Sequence, residues 1–426
     1  MTSLHICCII SAYYSMRSQI FIALLLVGFG CQHNPISINI KPPTLTVVDV
    51  NCTEVWLKIS SSCANYDVVT LKRDTTILDT IRLTTADTTI LDANLLPSHT
   101  YTYTLAMAGV KSVTAQARTM DTTSHAFTWT MYTLGDGTTS ELNDVAIIND
   151  TLAYAVGKIH SGGMVYNLAR WNGQAWNLQQ LPYQGYPPEV HSVFAISDTD
   201  VWFDPWFHWN GQSFQELPSD PIFYAIGINK MWGNSNGLYV VGNNGFIAYY
   251  NGTAWTQISS GTSLDIKDIY GAQNANTGTW EIYAAAGNPL VSNDRAILQI
   301  NGTTAQAISV NGINWALMSI WFMPSEQYWA VGDGMYEKHP TLSTTSWARK
   351  YPTIYTTYKI RGNDINDVFV CGAFGEILHY SGTSWQSYIS QTYLATGNLA
   401  SIAVRSNIVI TVKSNNSIGV AIVGRC

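Results

Sequence analysis

Charge is scarce in this sequence. Only 12% of its 426 residues are Asp, Glu, Lys or Arg, about half the usual share, and the balance is −7 with no basic cluster. Residues 1–30 contain Arg17 and no acid, so the remainder carries −8, which is −7 less one cation. A negative chain without a basic patch lacks the footprint of a partner for nucleic acid or for an anionic membrane surface. Cysteine offers little framework. Of the seven, Cys7, Cys8 and Cys31 fall near the N-terminus, leaving Cys52, Cys63, Cys371 and Cys426 without the C-x-x-C spacing of zinc or redox sites. Cys52 and Cys63 flank a strand pattern, EVWLKI, whose ends lie roughly 20 Å apart at ~3.3 Å per residue, beyond the roughly 7 Å reach of a disulfide, so the two are expected to stay unpaired. No nucleophile elbow and no phosphate loop occurs. His160, His191 and His208 have no ligand spacing. Asp364 and Asp367 in GNDINDV stand where other repeats have Asn234-Ser-Asn236, and read as a solvated turn rather than a calcium loop. No metal, no cofactor and no catalytic residue is expected.

Long apolar runs are also missing, with one exception. Ile20 to Val27, IFIALLLV, follows Arg17 and is the length of a signal h-region, too short to span a bilayer. It ends in Gly28-Phe29-Gly30-Cys31, which resembles the lipobox of bacterial lipoproteins. That resemblance implies cleavage before Cys31, lipidation of its thiol, and an address on the cell envelope at the outer membrane, cell surface or periplasmic face. Met16 reads as the start of the signal, residues 1–30 as the removed segment and 31–42 as a polar tether.

What is abundant is strand pattern. Residues 43–119 alternate at Leu45–Val50, Val55–Ile59, Tyr66–Lys72, Thr76–Leu83, Tyr101–Met107 and Val113–Arg118. Leu95-Leu96-Pro97-Ser98-His99-Thr100-Tyr101 resembles the L-x-P-x-x-x-Y of fibronectin type III domains. That resemblance implies an immunoglobulin-like sandwich with Leu95 in the core and Tyr101 as the tyrosine corner, acting as a stalk. Residues 120–126 read as a linker.

Residues 127–426 repeat. An apolar strand that often ends in Gly recurs as YAVG (Tyr154), VWFD (Val201), YVVG (Tyr239), YAAAG (Tyr283), WAVG (Trp329), FVCG (Phe369) and the weaker Ile408–Val412, at intervals of about 38 to 47 residues, the period of propeller blades. Each copy follows a strand centred on Val145, Val193, Met231, Ile269, Ile320, Ile360 or Ile402. Asn-Gly or Ser-Gly turns lead to a fourth strand carrying Trp176, Phe214, Trp255, Ala305 as a lapse, Trp347 and Trp385. The seventh unit has no fourth strand of its own, and Phe127–Tyr132 supplies one. The expectation is an all-β molecule, a small sandwich plus a seven-bladed β-propeller closed by its N-terminal strand. The recurring Trp residues are expected to fill space between blades. NGTAW (Asn251–Trp255), SGTSW (Ser381–Trp385) and NGQAW (Asn172–Trp176) resemble Asp-box and photosystem II assembly factor repeats and, more distantly, lectin tectonin repeats.

Binding is expected where loops break the repeat. The loops leaving fourth strands and those joining second to third strands open on one end of the ring, the funnel face. They hold Tyr183, Tyr186, Trp206, Tyr336, Tyr351, Tyr355 and Tyr393, rings suited to a glycan or protein ligand. The chain reads as a non-catalytic, monomeric binding protein of the envelope. A glycan-cleaving enzyme would instead need two carboxylates converging in the funnel, and the scattered Arg170, Arg295, Arg349, Arg361 and Arg405 suggest no carboxylate clamp; a structural assembly partner is the third possibility.

Overall fold

The computed structural model describes residues 42–61, 68–136, 139–289, 291, 293–339, 346–350, 355–414 and 418–426. Cys31, Cys63 and Tyr351 lie outside them. Alternating apolar positions build the first unit from β1 (Thr44–Val50), β2 (Glu54–Ser60), β3 (Val68–Arg73), β4 (Thr76–Arg82), β5 (Asp87–Ala93), β6 (Thr100–Met107) and β7 (Val110–Arg118). They form a three-stranded sheet, β1-β2-β5, and a four-stranded sheet, β4-β3-β6-β7. Val55, Leu57 and Ile59 project from one face of β2 and meet Val69, Leu71 and Tyr103 in the core. Leu95 joins that core, and the Leu96 N–H donates to the Tyr101 hydroxyl at 2.9 Å, the corner bond expected of this segment. Strand β5 is the one the sequence conceals. Its DTTILDA leaves Leu91 exposed and buries Asp92, which pairs with Arg73 at 2.9 Å and accepts from the Tyr103 hydroxyl at 2.8 Å.

Seven four-stranded antiparallel sheets follow, each wound outward from its first strand. Blades 1 to 6 run over 141–179, 193–216, 228–258, 266–308, 317–349 and 357–387. Blade 7 takes its three inner strands from Asn398–Arg405, Ile408–Ser414 and Gly419–Arg425, and its outer strand is β8 (Thr128–Leu134). Seven residue pairs, from Thr128 opposite Arg425 to Leu134 opposite Gly419, join chain start to chain end and close the ring, which leaves blade 7 without a bare third strand to template aggregation.

The repeated Asn-Gly motif is a turn device. In Asn172, Asn210 and Asn251 the side-chain oxygen accepts from the backbone N–H groups two and three residues on, at 2.8 to 3.0 Å. The following glycine adopts φ near +90°, for example +94° at Gly252, a region that disfavours side chains. The aromatic then lands opposite its third-strand partner, as in Tyr250 with Trp255 and Tyr380 with Trp385, rings 5.0 and 5.2 Å apart. Trp385 also meets Trp329 of blade 5 at 5.8 Å, so the repeated Trp does pack between blades.

The sandwich rests on the end of the propeller opposite the funnel face. Trp56, pointing away from the sandwich core, stacks on His339 from the third turn of blade 5 with centroids 3.9 Å apart and planes within 5°. His339 Nε2 also meets Asp49 at 2.8 Å. Asn366, in the first turn of blade 6, donates to the Asp121 carbonyl at 2.7 Å and accepts at its own carbonyl from Thr123 at 2.6 Å. Cys52 is a free, buried thiol bonded to the Asp121 carbonyl, and it packs so closely on Gly382 that a Cβ there would lie 2.3 Å from its sulfur. A chain of hydrogen bonds fixes the linker. His379 Nε2 lies 2.9 Å from Asp367 Oδ1, His379 Nδ1 lies 2.9 Å from His125 Nδ1, and His125 Nε2 lies 3.1 Å from Ser384 Oγ. Because the carboxylate only accepts, His379 donates to it from Nε2; with both imidazoles neutral, His125 then donates to His379 and Ser384 to His125.

Candidate functional site

Two regions have the chemistry of a site, the funnel face and the ring axis. On the funnel face, apolar side chains stand in water. Among the described residues of the propeller, ten large hydrophobic side chains are exposed, and eight of them lie in funnel-face loops or, for Met164, at the strand end bordering one. Five are aromatic: Tyr186, Tyr224, Trp315, Phe374 and Tyr393; Met164, Val291 and Ile418 are the others. Among the described residues, the turns of the opposite end hold none of these exposed large hydrophobic side chains and are rich in Asn, Asp, Ser, Thr and Gly.

The residues expected to bind divide into three groups. Tyr183, Tyr186 and Trp206 come together between blades 1 and 2. Tyr183 and Tyr186 exchange backbone bonds at 2.7 and 3.1 Å, and the Tyr183 ring lies 5.6 Å from Trp206. Tyr186 is 61% exposed, while Tyr183 and Trp206 are half-buried, Trp206 leaning on Phe223. Tyr355 and Tyr393 belong to the far side of the funnel, flanking blade 6, where Tyr355 packs on Phe374 at 5.2 Å. Tyr336 is a correction. It lies within the third strand of blade 5, Gly334–Lys338, because Asp333 alone makes the turn, and it is fully buried among Phe322, Ile313 and Trp347. Tyr224, Trp315 and Phe374 escaped the sequence reading, although each falls in a loop that breaks the repeat.

Between blades 1 and 2 the funnel mouth also gathers acids. Glu141 is raised by burial and by the neighbouring Glu189 carboxylate, with which it hydrogen-bonds. His191 is lifted to about 9, chiefly by its bond to Asp204, whose Oδ2 lies 3.4 Å from Nδ1. Two carboxylates thus converge, but in contact with each other. A glycosidase pair stands about 5 to 9.5 Å apart with the scissile bond between.

At the axis, the residue just before each inner-strand centre points into one shared layer. Asp144, Ser192, Lys230, Asp268, Ser319, Lys359 and Ser401 supply one side chain per blade, all buried. Asp144 accepts from Ser192 Oγ at 2.9 Å, from the Val193 N–H at 3.0 Å, from Ser401 Oγ at 2.7 Å and from Lys230 Nζ. Asp268 is bound by Ser319 Oγ, by the Ile320 N–H at 3.2 Å, by Lys359 Nζ at 3.1 Å and by both Arg361 Nη groups at 2.8 and 2.9 Å. Burial alone would push the Asp268 carboxyl up, but Arg361 and Lys359 hold it well below the carboxylate range. Ser192 and Ser319 pass the pattern on by accepting from Met231 N–H at 3.0 Å and Ile360 N–H at 3.2 Å. The order Asp-Ser-Lys therefore occurs twice around the ring, with Ser401 left over. Arg361, read as falling at an unrelated place, belongs to this axial register.

No family model and no curated protein matches the chain. Solved structures do. YCF48 bound to D1 peptide superposes with a TM-score of 0.52 at 17% identity, over 70% of this chain and 97% of that one. The WD40 β-propeller domain of Doa1 superposes with a TM-score of 0.51 at 15% identity, over 70% and 97%. The likeness is one of fold. Both neighbours are covered almost completely, as expected if the propeller is the shared part and the sandwich an addition.

Proposed function

We propose that this protein is a non-catalytic binding protein whose funnel face docks a protein partner, with the sandwich serving as a stalk of fibronectin type III kind. The observation that carries the reading is the segregation of exposed apolar side chains onto the funnel face, together with the seating of the sandwich on the opposite end, which leaves that face clear. Exposed apolar side chains gathered on one face of a soluble fold mark interaction sites, and aromatic rings with one wet edge suit a peptide or an apolar protein surface. A propeller of the same fold, YCF48, is described bound to a D1 peptide, which supports peptide recognition as something this architecture can do. A glycan ligand is less well supported, because the exposed rings alternate with aliphatic Met164, Val291 and Ile418, which offer no polar edge to hydroxyls. Cys31 as a lipidated anchor on the bacterial envelope belongs to the same reading.

The test is a peptide-display selection run beside a glycan array on the purified protein. Peptides rich in apolar residues are expected to enrich, and Tyr186→Ser, Tyr224→Ser and Tyr393→Ser combined should lower their affinity at least tenfold, about 1.4 kcal/mol, without moving the melting temperature. Binding on the glycan array alone would sink the proposal. The anchor has its own check: an alkyne-tagged fatty acid fed to expressing bacteria should label the wild type and not Cys31→Ala.

A further inference from the structure

The turn from Ser381 to Ser384 in blade 6 keeps the backbone of its counterparts. The Ser381 N–H donates to the Ser384 carbonyl at 3.0 Å, as Asn172, Asn210 and Asn251 donate to Ala175, Ser213 and Ala254 at 3.1 to 3.3 Å, and Gly382 has φ +94°. Its chemistry differs at both ends. In the other three turns the asparagine oxygen takes up the N–H groups two and three residues on. Serine is too short for that, and Ser381 Oγ lies instead 3.3 Å from Ser384 Oγ and 3.4 Å from the Ser384 carbonyl oxygen. The Thr383 and Ser384 N–H groups, aimed at one place by the shared backbone, therefore have no acceptor among the described residues. At the other end stands an exposed serine whose Oγ is 3.1 Å from His125 Nε2. Burial and the adjacent His379 hold His125 below the ordinary 6.5, so its ring is neutral at pH 7. The bonds running back through His379 to Asp367 then leave His125 Nε2 unprotonated toward the hydroxyl.

We propose that Ser384 is an activated nucleophile, a covalent modification site that accepts the acyl group of an activated carboxylic ester. Ser384 Oγ bonds to the ester carbonyl carbon while its proton passes to His125 Nε2. The oxygen that gains the charge is received by the paired Thr383 and Ser384 N–H groups, one of them the nucleophile's own. When the tetrahedral species collapses, the bond to the leaving alcohol or phenol oxygen breaks, and that oxygen takes up the proton from His125. His379 and Asp367 touch no reactant; they are positioning residues that fix the tautomer of His125. The site lies at the sandwich end of the ring, so the funnel-face reading stands or falls without it, and acceptance of one acyl group is not turnover.

The experiment exposes the full-length protein briefly to 4-nitrophenyl acetate and follows acetylation peptide by peptide with mass spectrometry, the exposed lysines serving as internal reference. Ser384 is expected to acquire one acetyl group at pH 7, at least about tenfold faster than in urea-unfolded protein. Ser384→Ala, the residue found in two of the other turns, should remove that label with the melting temperature unmoved. Ser381→Asn restores the acceptor of the other turns and leaves the serine and its base in place; by occupying the N–H pair it should slow labelling at least about tenfold. Asp367→Asn tests the relay. Asn363 Nδ2 donates to Asp367 Oδ2 at 2.6 Å, so the new amide keeps its oxygen there and turns its nitrogen to His379, reversing every bond and putting a proton on His125 Nε2. Labelling should fall at least about tenfold. Its decline in acid, which follows protonation of His125 in the wild type, should vanish as well, a change that loss of a merely structural contact would not make. Should Asp367→Asn fail to fold, Ser381→Asn decides. The proposal is overturned if the folded wild type labels Ser384 no faster than the unfolded chain, if Ser381→Asn labels as the wild type does, or if a folded Asp367→Asn leaves both rate and pH dependence unchanged.

Discussion

Asp268 is fully buried and answers to one lysine, one arginine, one serine and one backbone N–H, so its value lies in what its removal would strand. Asp268→Ala leaves Lys359 and Arg361 facing each other in the interior, and should cost about 3 to 5 kcal/mol in urea unfolding. Asp144→Leu combined with Lys230→Met removes both charges of the other pair and leaves only neutral donors, Ser192, Ser401 and the Val193 N–H, without their acceptor, so it should cost less than Asp268→Ala by the same measurement. His191 gives a pH signature. Its folded value of about 9 exceeds the ordinary 6.5, so the stabilisation is complete below pH 6.5 and is lost as pH rises through 9. Relative to wild type, His191→Gln should melt lower at pH 6 and indistinguishably at pH 9.5. This layer was hard to read from sequence for a physical reason. Repeats are recognised by recurring residue type, as with Gly252 and Trp255, whereas axial positions recur by register and alternate acid, hydroxyl and base so that neighbours can pair. Aligning each inner strand on its central apolar residue would have exposed the set.

Elements were more legible than residues. Both-face burial makes the second strands continuous apolar runs, and the Asn-Gly turns mark third-to-fourth hairpins, so the seven blades and their closure by β8 follow from pattern alone. Strand β5 was missed because it is thinly covered, its register set by pairing with β2 and by buried Asp92 rather than by an apolar stripe. Tyr336 was misplaced because a turn of a single residue between Gly332 and Gly334 left it inside a strand. The β8 closure can be probed at Gly424, where a Cβ would lie 2.5 Å from the Trp129 ring. Gly424→Val should destabilise by about 1 to 3 kcal/mol through overpacking and open 128–134 to protease, and Trp129→Ala in the same chain should restore part of the loss.

At the scale of the molecule, the seat of the sandwich is rich in ionisable groups. Glu326 is raised to about 7 by burial and by nearby Asp49 and Asp364. Its contribution is therefore complete below the ordinary 4.5 and is lost as pH rises through 7. Glu326→Gln should match wild type near pH 4.5 and melt higher above pH 7. His339→Ala removes both the stack on Trp56 and the bond to Asp49, and should show in small-angle scattering as a looser joint between sandwich and propeller with the propeller's own melting unchanged. The closure by β8 has a mechanical side as well. Thr128 sits at the sandwich end of blade 7 and Leu134 at the funnel end, so tension drawn between a stalk and a captured partner pulls β8 along its own length. Ladder hydrogen bonds lie across that direction. All seven paired positions then share the load at once instead of opening one after another, and the strand that completes the ring is also the one that resists being pulled from it.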